Sequence, residues 1–243
     1  MAKFQLVITA EHASPTLPEP YKSLHPPKTK RYHWYFDRNS DEMAKLLSKK
    51  LRVPTFYAPH SRILVDPNRS PTHPNIVPKK SFGWEVSFNK SLSEKEKEMR
   101  ITKHWKPHFT KVHNEIKKHI KKKEVLHLAI HSFVKRLKGK TRDTQIGILF
   151  NPDNKKDKEI ATQLQKHLRN NKIKCKLNYP YRGYSYGIDR YHIELLKKQN
   201  LEKKYSGIAL EFQADYLDYL PNRLRLANII STFFLKKRFT KNI

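Results

Sequence analysis

Three ionisable residues stand at or inside apolar, strand-like runs of this 243-residue sequence. His12 follows the run 4–10, His131 follows the run 125–130, and Glu211 lies within Ile208-Ala-Leu-Glu-Phe212. An imidazole at the carboxyl end of a buried strand can bind a metal, act as a base or donate to a neighbouring carbonyl, and spacing alone does not choose among these. A carboxylate buried in an apolar strand is costly unless it is paired or used. With one more acidic ligand the three make up the inventory of a hydrolytic metal centre. Catalytic zinc takes three protein ligands with one position left open for water, and a nearby carboxylate takes the proton of that water. His12, His131 and one acidic ligand, with Glu211 as base, meet that requirement.

The elements that must position these residues can be read from periodicity. The run 4–10 is a first strand that stops at Glu11-His12, and Pro15, Pro18, Pro20, Pro26 and Pro27 then forbid regular structure across a long connection at the rim of the site. Asn39 caps a helix, with Glu42 at capping-box distance and Met43, Leu46, Leu47 and Leu51 on one face; Asp37 lies just ahead of it. The stretches 55–58 and 61–65 are β-like, the second leading into Asp66-Pro-Asn-Arg69. Ser93 and Glu96 open a long amphipathic helix whose buried stripe is Trp105, Phe109, Val112, Ile116 and Ile120, kinked or split by Pro107. Its histidines, His104, His108, His113 and His119, lack the spacing and acidic partner of a zinc helix and read as surface.

Beyond the central strand, 146–150 is a buried strand. A helix carrying Ile160, Leu164 and Leu168 stops at Asn170-Asn171 in a left-handed turn. The run 173–177 is a further strand, and Tyr179, Tyr181, Tyr184 and Tyr186 crowd a loop before a short helix at 191–196. A strand at 207–212 and a closing helix at 221–235 complete the chain. Strands alternating with helices give a mostly parallel or mixed sheet covered on both faces, and the length suits one domain spanning 1–243.

Composition narrows the alternatives. Lys and Arg number 51 against 22 acidic residues, a net charge of +29. Clustered cations would mark a nucleic-acid or anion-binding surface, but here they are spread through every segment, including 49–52, 121–123, 155–158 and 236–241, mostly opposite the apolar stripes. No zinc-finger, RNA-recognition or helix-turn-helix signature accompanies them. Cys175 is the only cysteine, so an intrachain disulfide and a cysteine metal cluster are both excluded. The N-terminal apolar run is too short for a secretory signal and no run has transmembrane length, which sets a cytoplasmic location as the expectation.

Six motifs occur in order: Glu11-His-Ala-Ser14, His33-Trp-Tyr-Phe-Asp37, Ser61-Arg-Ile-Leu-Val-Asp-Pro-Asn-Arg69, Ile130-His-Ser-Phe133, Asn178-Tyr-Pro-Tyr181 and Leu210-Glu-Phe-Gln-Ala-Asp215. The ordered set resembles the N-formylglutamate amidohydrolases and, more distantly, the zinc carboxypeptidases. The resemblance implies an α/β fold in three layers, a mixed, mostly parallel sheet with helices on both faces, of the phosphorylase/hydrolase-like (zinc exopeptidase-like) kind. It implies one Zn2+ per chain held by His12, Asp37 and His131, with Glu11 and His33 as rival ligands, and Glu211 as the catalytic base. Arg69, Arg62, Asn68 and Tyr181 would bind substrate, an N-acyl amino acid such as N-formylglutamate or a related amide. The internal alternative for the two arginines is an ion pair with Asp66. The chain departs from the family at Arg38-Asn-Ser40, where small residues are usual, at Gln213, where Arg is common, and at Tyr179, where an acid is usual. Losing a cation near the site alters how an anionic substrate is held. The competing functions are an anion- or nucleic-acid-binding protein without catalysis, and a family member that keeps the fold and has lost turnover.

Overall fold

The computed structural model describes residues 4–24, 34–183 and 187–239; His33, Tyr184, Tyr186, Pro26 and Pro27, and the last residues of the basic run 236–241, lie outside them. A six-stranded sheet runs through the middle in the order β2-β1-β5-β10-β8-β9, comprising β1 (Phe4–Ala10), β2 (Thr55–Tyr57), β5 (Glu124–Phe133), β8 (Ile146–Phe150), β9 (Cys175–Leu177) and β10 (Tyr205–Gln213). The first four strands in that order are parallel; β8 and β9 run the opposite way, β8 pairing antiparallel with β10. Two small hairpins, β3–β4 (Lys80–Ser81 and Trp84–Glu85) and β6–β7 (Arg136–Leu137 and Lys140–Thr141), stand apart from the sheet.

The central strands β1, β5 and β10 are apolar on both sides because helices cover both sides. Leu6, Ile8, Leu126, Leu128, Ile130, Leu210 and Phe212 pack against α1 (Ser40–Leu51), α4 (Lys155–Asn170) and α6 (Leu220–Phe239). On the opposite face Val7, Val125 and Tyr205 meet Val112, Ile116 and Ile120 of α3 (Lys106–Ile120) and Leu196 of α5 (Ile188–Lys197). This is the expected three-layer α/β arrangement.

Several local expectations are corrected. Asn39 precedes α1 with φ 66° and makes no side-chain cap; its amide bonds Asp218 and its carbonyl accepts from Arg223, tying α1 to the end of the chain instead. The stretch 61–65 is a turn. Pro59 and Pro67 bracket it, Leu64 N–H bonds Ser61 O, and the Ser61 hydroxyl donates to Tyr35 O, so its backbone groups are satisfied without a neighbouring strand while Ile63 and Leu64 bury locally. The Ser93–Glu96 capping box does open α2 (Glu94–Arg100). The helix then passes through one wide π turn, Ile101–Trp105, into α3, with Pro107 in the first turn of α3, where its missing N–H costs least. All five residues of the predicted stripe are buried. The four histidines are not surface residues. His104 and His108 are buried and His113 and His119 half-buried, because α5 and the 60s turn cover the flanks of the helix; His113 stacks on Phe109 and His192. At the end of α4 the left-handed residue is Lys172, not Asn171. No described helix is long and apolar enough to cross a membrane.

Candidate metal and substrate site

The site forms at the carboxyl ends of β1 and β5 and the adjoining part of β10, where parallel strands leave a crevice. β5 runs on through His131 and Ser132 to Phe133, so His131 is held inside a strand rather than beyond one. The register puts Glu211 beside His131 on one flank and beside Gly147 on the other. His12 follows β1, and its carbonyl accepts the Asp37 N–H at 2.7 Å, which pins the segment before α1 to the end of the sheet. The Ser40 hydroxyl donates to Asp37 O, the Ser132 N–H to Asp37 Oδ2 at 3.3 Å, and the Ser132 hydroxyl to Arg38 O.

His12, Asp37 and His131 therefore converge, all buried, each offering one donor atom within 4.8 Å of the others. Asp37 Oδ2 lies 3.0 Å from His131 Nδ1 and 3.6 Å from His12 Nδ1. The far nitrogens also face carboxylates: His12 Nε2 is hydrogen-bonded to Asp66 Oδ1 at 2.7 Å, and His131 Nε2 lies 3.3 Å from Glu11 Oε2 as an ion-pair contact without a hydrogen bond. Each imidazole thus turns Nδ1 inward to Asp37 and Nε2 outward to a carboxylate. The hydrogen bond to Asp66 fixes the tautomer and orientation of His12, an arrangement found behind metal-binding histidines, while Glu11 sets a negative charge behind His131. The donor set suits a divalent metal such as zinc.

Electrostatics follow from burial and pairing. Burial alone would raise the carboxyls of Glu11, Asp37 and Asp66, yet the adjacent histidines outweigh it for all three, helped at Asp66 by Arg62 and Arg69, and all are held well below the usual carboxylate range. His131 moves up, since burial is outweighed by its hydrogen bond to Asp37 and by the nearby charges of Glu11 and Glu211. Glu211 is different. Burial pushes it up to about 7, and its Oε2 has no hydrogen-bond partner among the described residues. A carboxyl with one oxygen unbonded beside the His-Asp-His cluster is placed to accept a proton.

The cleft above these residues has a volume of about 620 Å³. All the residues expected to bind substrate, Arg62, Arg69, Asn68 and Tyr181, line it. Arg62 spans Asp37 and Asp66 at 3.5 and 3.4 Å. Arg69 Nε is 3.3 Å from Asp66, and its Nη1 bonds His73 Nε2, while a third of its side chain stays exposed. Asn68 anchors the start of α5 by accepting the Ile188 N–H. The Tyr181 phenol, raised to about 12 by burial and by Glu211, stays protonated at neutral pH and accepts a bond from Arg142. The π turn contributes too: the Trp105 indole donates to Arg69 O.

Of the rival ligands, Glu11 backs His131, and His33 lies outside the described residues. Gln213 is buried and donates to Arg142 O and Thr144 O, away from the cleft. Arg38 pairs with Asp215 and Asp218, which accounts for a large residue where small ones are usual. Sequence reasoning did not foresee the role of Asp66 as partner of His12, nor that of Gly147. A Cβ at Gly147 would stand 1.7 Å from Tyr179 O, so the bare backbone lets the chain leading to Tyr181 cross the sheet beside Glu211. The visible signal was a lone glycine in the apolar run 146–150.

A three-layer α/β sheet with a buried His-Asp-His cluster at its strand ends and a carboxyl oxygen without a hydrogen-bond partner beside it is an arrangement a hydrolase could use. The family model of N-formylglutamate amidohydrolases matches residues 4–217, and the chain belongs to that family. Among solved structures it is similar to gene product Atu2144 from Agrobacterium tumefaciens, with a TM-score of 0.79 and 24% identity over 97% of this chain and 91% of that one. It is also similar to the N-formylglutamate amidohydrolase from Ralstonia eutropha JMP134, with a TM-score of 0.68 and 17% identity over 97% and 93% of the two chains. These likenesses concern the fold. A search of curated proteins gives no match.

Proposed function

We propose that this protein is a zinc-dependent amidohydrolase that releases the acyl group, formyl in the simplest case, from an N-acyl amino acid. The observation that carries the reading is the buried convergence of His12, Asp37 and His131, with each imidazole lying between Asp37 and a second carboxylate, Asp66 or Glu11. His12, Asp37 and His131 would hold the ion. When bound, zinc supplies a Lewis acid that polarises an acyl carbonyl and acidifies water. Glu211 takes the proton from the attacking water and passes it to the departing amine nitrogen, a role suited to a carboxyl poised near neutrality. Arg69 receives the free carboxylate of the amino acid, with Arg62 and Asn68 beside it, and Tyr181 donates from the facing wall.

The test uses metal analysis and kinetics together. About one zinc per chain should bind, and His131→Ala should lose it. Glu211→Gln should keep the metal while turnover of N-formyl amino acids falls roughly a hundredfold or more. Full metal retention in His131→Ala, or unchanged turnover in Glu211→Gln, would overturn the assignment.

A further inference from the structure

Below the main cleft lies a second, smaller cavity of about 80 Å³, sunk between β5, β10 and the start of α5. The two are continuous: Asn68, His131, Arg182 and Glu211 line both. The inner end is reached past the proposed base, where the side chain of a substrate held by its acyl carbonyl and carboxylate would project. Its size, roughly that of several waters, suits one side chain rather than a second substrate.

The inner end is built from small residues. Ala129, Ala209 and Gly207 leave the sheet bare where larger side chains would fill the space. Gly187 and Gly207 also make room for Asp189: a Cβ at Gly187 would fall 2.6 Å from Asp189 Oδ1, and one at Gly207 would fall 3.3 Å from Asp189 Cβ. Among the described residues that line only the inner cavity, two are titratable, His127 and Asp189. His127 is held neutral, burial lowering it to about 4, with its ring nitrogens on Thr9 and Tyr205. Asp189 is raised by desolvation to about 6, a rise restrained by the backbone N–H groups at the start of α5 and by the charge of Arg190, and is still ionised in the main at neutral pH. The inner end therefore presents one anion. The cation at its entrance, Arg182, is exposed.

We infer that the inner cavity receives the side chain of the substrate amino acid and that Asp189 selects a cationic one, so that the preferred substrates are N-acyl derivatives of basic amino acids. This rests on the amidohydrolase reading above and departs from it in substrate class. A glutamyl side chain would bring a second carboxylate against Asp189 in a low-dielectric pocket, whereas an ammonium or guanidinium would neutralise it. Asp189 acts here as a specificity-determining residue.

The test measures calorimetric binding of L-lysine, L-norleucine and L-glutamate to the zinc-loaded protein, and initial rates on their N-formyl derivatives. Norleucine is lysine without the ammonium. The wild-type protein should favour lysine over norleucine by about tenfold or more, with glutamate last, and Asp189→Asn should collapse the lysine–norleucine ratio toward one. Glutamate binding tightest, or an unchanged ratio in Asp189→Asn, would overturn the proposal. The wild-type ranking needs no variant, so a misfolded Asp189→Asn protein does not remove the test. Binding in the predicted order without hydrolysis of any N-formyl compound would uphold the pocket and refute the hydrolytic reading.

Discussion

At the level of single residues, Asp66 links the histidine cluster to both arginines, touching His12, Arg62 and Arg69 at once. The alternative seen in the sequence, substrate grip or internal ion pair for Arg69, is therefore not exclusive. Arg69 is paired with Asp66 and also faces the cleft. Arg69→Ala should lower the melting temperature modestly and, separately, raise KM for substrates with a free carboxylate by about tenfold or more relative to their amides. Kinetics on an acid–amide pair check it, and a lowered melting temperature with unaltered preference would leave Arg69 a purely structural role. The sequence exposed His12, His131 and Glu211 because each interrupts an apolar run with a group that has to be used. Asp66 hid in a loop, since nothing in a linear pattern marks a carboxylate that will meet a ring 54 residues away.

Two predictions belong to the elements. Gly147→Ala would drive a methyl group into Tyr179 O, a backbone atom that no rotamer change can move, so the variant should lose on the order of 1–3 kcal/mol or more in urea unfolding. It should also weaken substrate binding, because the crossing chain carries Tyr181. The second concerns the first turn of α4, where Asp157 is 1% exposed and burial raises its carboxyl to about 7 from the ordinary 3.8. The folded protein then holds this proton more tightly than the unfolded chain. Its contribution falls as pH rises from about 4 to about 7, and is lost above that. Asp157→Asn should flatten that decline and stabilise the protein at pH 8, by a few kcal/mol at most; melting curves at pH 4, 6 and 8 check the sign. At this scale the sequence was largely legible. Strands and helices followed from periodicity, whereas 61–65 misled because an apolar, β-branched run can equally bury itself in a turn closed by Ser61.

For the molecule as a whole, the net charge of +29 has to coexist with a site built from carboxylates. The cations are dispersed, apart from the cleft edge, where Lys79 and Lys80 stand exposed. Weak duplex-DNA binding at roughly 50 mM salt should vanish near 200 mM and be the same in His131→Ala, a filter-binding measurement that separates surface charge from the site. The order of the strands has another consequence. β5 is flanked by β1 and β10, so a growing chain has made His12, Asp37 and His131 long before Glu211. A product cut short ahead of Tyr205 keeps the three proposed ligands, lacks the proposed base Glu211, and bares the flank of β5 along the nine positions that β10 would cover. Such a fragment is an open strand edge seeking a partner. Premature termination just ahead of Tyr205 should thus yield insoluble, self-associating chains rather than quiet, inactive ones.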